Sequence, residues 1–230
     1  MDAGELRVTL EIGPKGKRVV AVAPDWPGLE RGAKTEDAAV ERLLAYLPRY
    51  APVAKLAGME SEFAVAGSAS VVERYPGNGS TDYWGVSFTF SDFDRQPMSR
   101  DELERELRLM RGCWAFFDEV RSKVSPEMRK GLRGGGRDRD RIIRHTIVAE
   151  YDMAKKVGIR IPSDAEITED SLTAYRDDYC RTIREFHTEG KMARSWPLRY
   201  LIRHSAYHTL DHSWEMEDKD LTATTAYESA

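Results

Sequence analysis

The chain has 230 residues, enough for one large domain or two small ones with a real buried core. Its 35 Lys and Arg nearly balance its 39 Asp and Glu, and the formal net charge of −4 argues against whole-molecule capture by nucleic acid or an anionic membrane. No apolar run approaches the roughly 20 residues of a membrane-spanning helix.

Up to about residue 95 the apolar pattern has period two. LRVTLEI (6–12) and RVVAVA (18–23), separated by Gly13-Pro14-Lys15-Gly16, predict a β-hairpin. Thr35 opens TEDAAVERLLAYL, where Ala39, Leu43, Leu44 and Leu47 mark one helical face. FAVAGSASVVERY and DYWGVSFTF, joined by PGNGST, predict a second hairpin. The expected order is ββαββ, an α+β domain over residues 1–95 that holds none of the five histidines.

Beyond residue 95 the period is helical. Ser99 stands three residues before Glu102, the capping-box spacing, and Leu103, Leu107, Met110, Trp114, Phe117 and Val124 form a stripe behind it. A second helix is expected from about Asp138 to Val157, stopped by Gly158. A third runs from about Asp170 to His187 with Leu172, Tyr179, Ile183 and Phe186 inward, and His187 suits its negative C-terminal end. The fourth starts near Ser195 and continues to about Asp218. Four such helices predict an all-α four-helix bundle over 96–220, able to fold without residues 1–95, and a disordered tail over 221–230.

RYLIRHSAYHTLDHSW (199–214) carries His204, His208 and His212, each four residues apart. At about 100° per residue, His208 and His212 fall on or beside the face marked by Leu198, Leu201, Ile202, Ser205, Thr209 and Met216. His204 falls on its flank and forms a second HxxxH pair with His208. Two histidines at i, i+4 project in parallel and can share one metal ion. His145 in RIIRHTIVAEYD, at the edge of the face marked by Ile142, Thr146, Ala149 and Met153, is the natural third ligand. A hydrogen-bonded core pair or a solvated flank remains the alternative to a metal site.

Two resemblances bear on this choice. RIIRHTIVAEYDMAKKVG and LRYLIRHSAYHTLDHSWEMED, within residues 99–218, resemble the DinB-like bundle family, which includes the mycothiol-dependent maleylpyruvate isomerases. The resemblance implies one divalent ion, Zn²⁺ or Ni²⁺, held by His145, His208 and His212 with water in the open positions. It also implies a thiol-dependent transferase or isomerase acting on a small molecule with a low-molecular-weight thiol. VVAVAPDWPGLERGAKTEDAAVERLLAYL resembles the HicB-like antitoxin module, with Pro27, Gly28 and Gly32 matching its turn. A DNA-binding continuation is missing, so this resemblance implies a recognition or homodimerisation element. On that basis a non-enzymatic binding or regulatory protein, with the bundle as scaffold, is the rival reading.

Glu150, Asp152 and Asp211 are the carboxylates near the histidines in sequence. Asp152 shares the flank of His145 and could orient that imidazole or act as a base; a surface carboxylate facing an arginine is the plainer role for each. In RKGLRGGGRDRDRIIR (129–144) the glycines match no nucleotide-binding pattern. A connector leading into a solvated helix start explains them, although Arg133, Arg137 or Arg139 could attract an anionic substrate or thiol cofactor. The segment lacks the interleaved aromatics of a nucleic-acid surface. Cys113 and Cys180 have no CxxC partner and are expected to be reduced, half-buried thiols. With no leader pattern in MDAGELRVTLEIG, a cytoplasmic location is expected.

Overall fold

The computed structural model describes residues 5–63, 68–131, 136–162 and 165–222. Arg133 and all but the first two residues of the expected tail lie outside them. The protein is mixed α+β, a four-stranded sheet followed by mostly helical chain. Among the described residues no helix is long and apolar enough to cross a membrane. The chain divides into two compact units, Met1–Gly112 with Trp196–Tyr207 and Cys113–Ser195 with His208–Ala230. The expected boundary at 95/96 therefore falls inside the first unit.

In the first unit, β1 (Leu6–Ile12), β2 (Val19–Val22), β3 (Glu30–Ala33) and β4 (Ala69–Pro76) form a sheet in the order β3-β2-β1-β4. β1–β2 and β2–β3 are antiparallel, whereas β1–β4 is parallel, with a bulge between Val8 and Thr9. The first hairpin forms as expected, its turn closed by Gly13 N–H on the Arg18 carbonyl at 2.9 Å. β3 lies in the stretch read as a turn. A Cβ on Gly32 would sit 2.1 Å from the Gly85 carbonyl oxygen, so this strand requires glycine there. Thr35 caps α1 (Glu36–Ala45), and α2 (Leu47–Leu56) restarts the helix with Pro48 in its first turn, where a missing N–H does no harm.

The second hairpin does not form. Among the described residues only β4 is a strand here, and DYWGVSFTF enters α3 (Gly79–Trp84) and then a segment leading to α4 (Asp92–Arg95). Asn78 starts α3 by accepting from the N–H groups of Ser80 and Thr81 at 2.8 and 3.3 Å. Buried Glu11 on β1 then accepts from the Thr81 and Ser87 hydroxyls and, at 3.0 and 3.1 Å, from the backbone N–H groups of Phe88 and Thr89. Donors that a strand would give to a neighbour go to a side chain. The order through this part of the unit is βββααβαα, not ββαββ.

α5 (Arg100–Lys123) opens with the expected capping box, Ser99 N–H to Glu102 at 2.7 Å and Glu102 N–H to Ser99 at 3.2 Å. Its predicted stripe is buried throughout. α8 (Leu198–Lys219) is covered on nearly every side. Within the first unit its Arg203 makes two bonds to Asp94, at 2.7 and 2.8 Å, and one to Glu30 at 3.2 Å, while Arg199 pairs with Glu106. Burial, only partly offset by Arg203, pushes the Glu30 carboxyl up to about 8. At Asp94 burial acts the same way, but Arg203 and Ser91 outweigh it and hold the carboxyl down.

The second unit contains α6 (Arg139–Ala154) and α7 (Glu169–Thr188). Asp138 caps α6, which ends through a 3-10 turn at Gly158, in the left-handed conformation with φ 90°. Thr168 and Ser171 form a capping box at the start of α7. Ile142, Thr146, Met153, Leu172, Tyr179 and Ile183 are buried, as their spacing predicts, whereas Ala149 and Phe186 are only half-buried. Cys113 and Cys180 are fully rather than half buried, and burial pushes the Cys113 thiol up, which makes it inert.

Candidate metal centre

Each metal-ligand candidate sits on a regular helix. His208 and His212 lie one turn apart on α8, and His145 faces them from α6. The three ring centroids are 4.6 to 5.3 Å apart, and one candidate nitrogen from each ring lies within 4.8 Å of the others. Two imidazole nitrogens on one tetrahedral Zn²⁺ stand about 3.3 Å apart, as follows from Zn–N bonds of roughly 2.0–2.1 Å. The three nitrogens therefore stand at most about 1.5 Å wider than that spacing. His212 is buried, His208 half-buried and His145 exposed, so the group opens toward solvent on the α6 side.

Glu215 sets the orientation of His212. Its Oε2 lies 2.7 Å from His212 Nδ1 and 3.4 Å from the Arg137 guanidinium, and its Oε1 pairs with Lys219. Burial raises the Glu215 carboxyl, but the bonds from His212 and Lys219 prevail and hold it down at about 2. An ionised carboxylate there accepts the Nδ1 proton and leaves the Nε2 lone pair of His212 for a metal, the usual arrangement behind a histidine ligand. Partial desolvation first, then His212 and Arg137, lower the pKa of His145, which favours the neutral imidazole that a metal requires. Glu215 was not among the sequence candidates; its signal was the i, i+3 spacing from His212.

His204 has a different role. It packs among rings of the first unit, stacked on Tyr200 at 5.2 Å and 18°, with Trp196 and Phe88 at 5.5 and 5.9 Å. It is a core histidine in an aromatic nest, and the group of candidate ligands is His145, His208 and His212.

The carboxylate candidates are dispersed. Asp152 pairs with Lys155 at 2.7 Å on the surface, three residues along the same helix, instead of supporting His145. Glu150 is fully buried, 3.2 Å from the Thr209 hydroxyl and 3.5 Å from Arg176, and burial raises its pKa despite both contacts. Asp211 is half-buried on α8. Of the arginines, Arg137 reaches the site through Glu215, whereas Arg139 turns to Asp140 at 2.9 Å and the Val124 carbonyl at 3.4 Å. The arrangement can hold one borderline cation with coordination positions left for a small molecule. Comparison with models of known protein families, with curated proteins and with solved structures finds no match to this chain.

Proposed function

We propose that the protein binds one divalent ion, Zn²⁺ or Ni²⁺, through His145, His208 and His212, and acts with it on a small molecule in a thiol-dependent transfer or isomerisation. The observation that carries this reading is the meeting of three imidazoles from two helices, one of them held by an ionised carboxylate. When bound, such an ion lowers the pKa of a coordinated thiol or water. The chain's own part is to bring three imidazoles together, to orient His212 through Glu215, and to leave the His145 side open for a substrate. The DinB-like reading of α5 to α8 as a four-helix bundle belongs to this proposal, supported by the buried stripes of α5 and α7 and by the positions of the histidines. The HicB-like reading of the N-terminal part, as a recognition or dimerisation element, is supported by the β1–β2 hairpin and the Thr35-capped helix.

Cobalt provides the test. Protein loaded with Co²⁺ should show ligand-field absorption, and an added low-molecular-weight thiol should bring in a sulfur-to-metal charge-transfer band. His208→Ala should abolish both. A cobalt spectrum indifferent to every thiol tried would contradict the thiol-dependent reading, and no cobalt spectrum at all would contradict the metal site.

A further inference from the structure

The second unit has a cleft of about 700 Å³, within the roughly 300–1,000 Å³ of small-molecule sites. Part of its wall is anchored. On one side the loop after α5 is tied to the end of α8: Met128 bridges Asp220, Arg129 N–H bonds the Lys219 carbonyl at 2.7 Å, and Ser125 N–H bonds Asp220 at 2.9 Å. On the other side the first turn of α6 follows, with Arg139 N–H held by the Pro126 carbonyl at 3.2 Å.

The cleft is lined by Arg129, Lys130, Arg137 and Arg141 against two carboxylates, Glu127 and Asp138. Asp138 caps α6 through Arg141 N–H at 3.0 Å and also lies 3.8 Å from the Arg141 guanidinium, a loose pair on the surface. Arg137 shares Glu215 with Lys219 and His212, so one carboxylate serves two fixed cations. The walls therefore carry an excess of about two positive charges, and guanidinium forks suit carboxylate and phosphate oxygens. Arg137 also joins the cleft to the histidines: it lines the cleft and contacts the carboxylate that holds His212.

We propose that this cleft binds the anionic end of the substrate or thiol, a small molecule with at least two negative charges as carboxylates or phosphate, and so directs its other end toward the metal. The second half of this inference rests on the metal-centre reading; the anion site itself does not. Of the arginines weighed from the sequence, Arg137 belongs to this site and Arg139 does not.

The test is calorimetric titration at constant chloride with malonate in one arm and inorganic phosphate in the other, on metal-free and Zn²⁺-loaded protein. One saturable site is expected in the metal-free form. In the double variant Lys130→Gln, Arg141→Gln, two exposed positions, affinity should fall about tenfold with Zn²⁺ uptake unchanged. The tighter of the two anions identifies the acidic group. No saturable binding in either arm, or a double variant that binds as wild type does, would overturn the proposal. Anion binding that survives beside a failure to take up Zn²⁺ would overturn the metal-centre reading and leave the anion site standing.

Discussion

Glu215 shows how one side chain can set the properties of another. Its carboxylate holds the Nδ1 side of His212, and the bonds from His212 and Lys219 keep it ionised. Glu215→Gln retains the shape but removes the charge, and we expect metal affinity to fall about 10–100-fold. Competition with a chromophoric chelator measures this, and an unchanged affinity would place Glu215 outside the site. His204→Ala should leave metal uptake intact and lower stability by about 2 kcal/mol, because it empties a place among three aromatic rings. Denaturant unfolding and metal content, read together, decide that case. At this scale the HxxxH spacing left two overlapping pairs, the helix wheel favoured His208 and His212 over His204, and the DinB-like resemblance brought in His145, which the wheel placed only at an edge. The same arithmetic put Asp152 on the right flank but could not see Lys155, which takes its carboxylate. A helix wheel gives a direction and says nothing of the competitors waiting there.

The long helices were readable because their apolar stripes are regular and their caps are local: Ser99 with Glu102, and Gly158 at the end of the second, act within a few residues. The second hairpin misled because DYWGVSFTF alternates like a strand, while Asn78 begins a helix and Glu11 draws the following donors to itself from far along the chain. No local pattern reports a carboxylate that recruits donors some 70 to 78 positions away. Glu11→Ala would orphan two backbone N–H groups and two hydroxyls, and we expect a loss of about 3 kcal/mol or more, with weakened protection of the Phe88 and Thr89 amides in hydrogen exchange. Wild-type protection at those amides would contradict this account of why the segment is not a strand. β3 was hidden for a related reason, since its Gly32 answers to the carbonyl of Gly85 and not to its sequence neighbours.

At the scale of the whole chain, the change of period near residue 95 identified a sheet-bearing part and a helical part, but not where the units divide. Composition and period cannot show that residues of the last helix belong with the first unit. Arg203 makes the consequence concrete. Its acidic partners, Glu30 and Asp94, both precede residue 96, so a fragment of residues 96–230 would keep a guanidinium placed for burial and lose both carboxyl groups, the ionised Asp94 among them. Loss of the partners of a buried charge costs about 3–5 kcal/mol. We therefore expect the fragment to lack a cooperative thermal transition, contrary to the independence suggested by the sequence pattern. A sharp transition in calorimetry would show that the helical part stands without its N-terminal partner residues.

The measurement that bears most directly on the central claim is elemental analysis of the untagged protein, purified without contact with a nickel column, beside its His145→Ala, His208→Ala and His212→Ala variants. The expected result is about one divalent ion per chain in the wild type, lost from each variant while the fold is retained. A wild type that holds no metal even after Zn²⁺ or Ni²⁺ is supplied, or a His212→Ala protein that keeps its full complement, would contradict the claim.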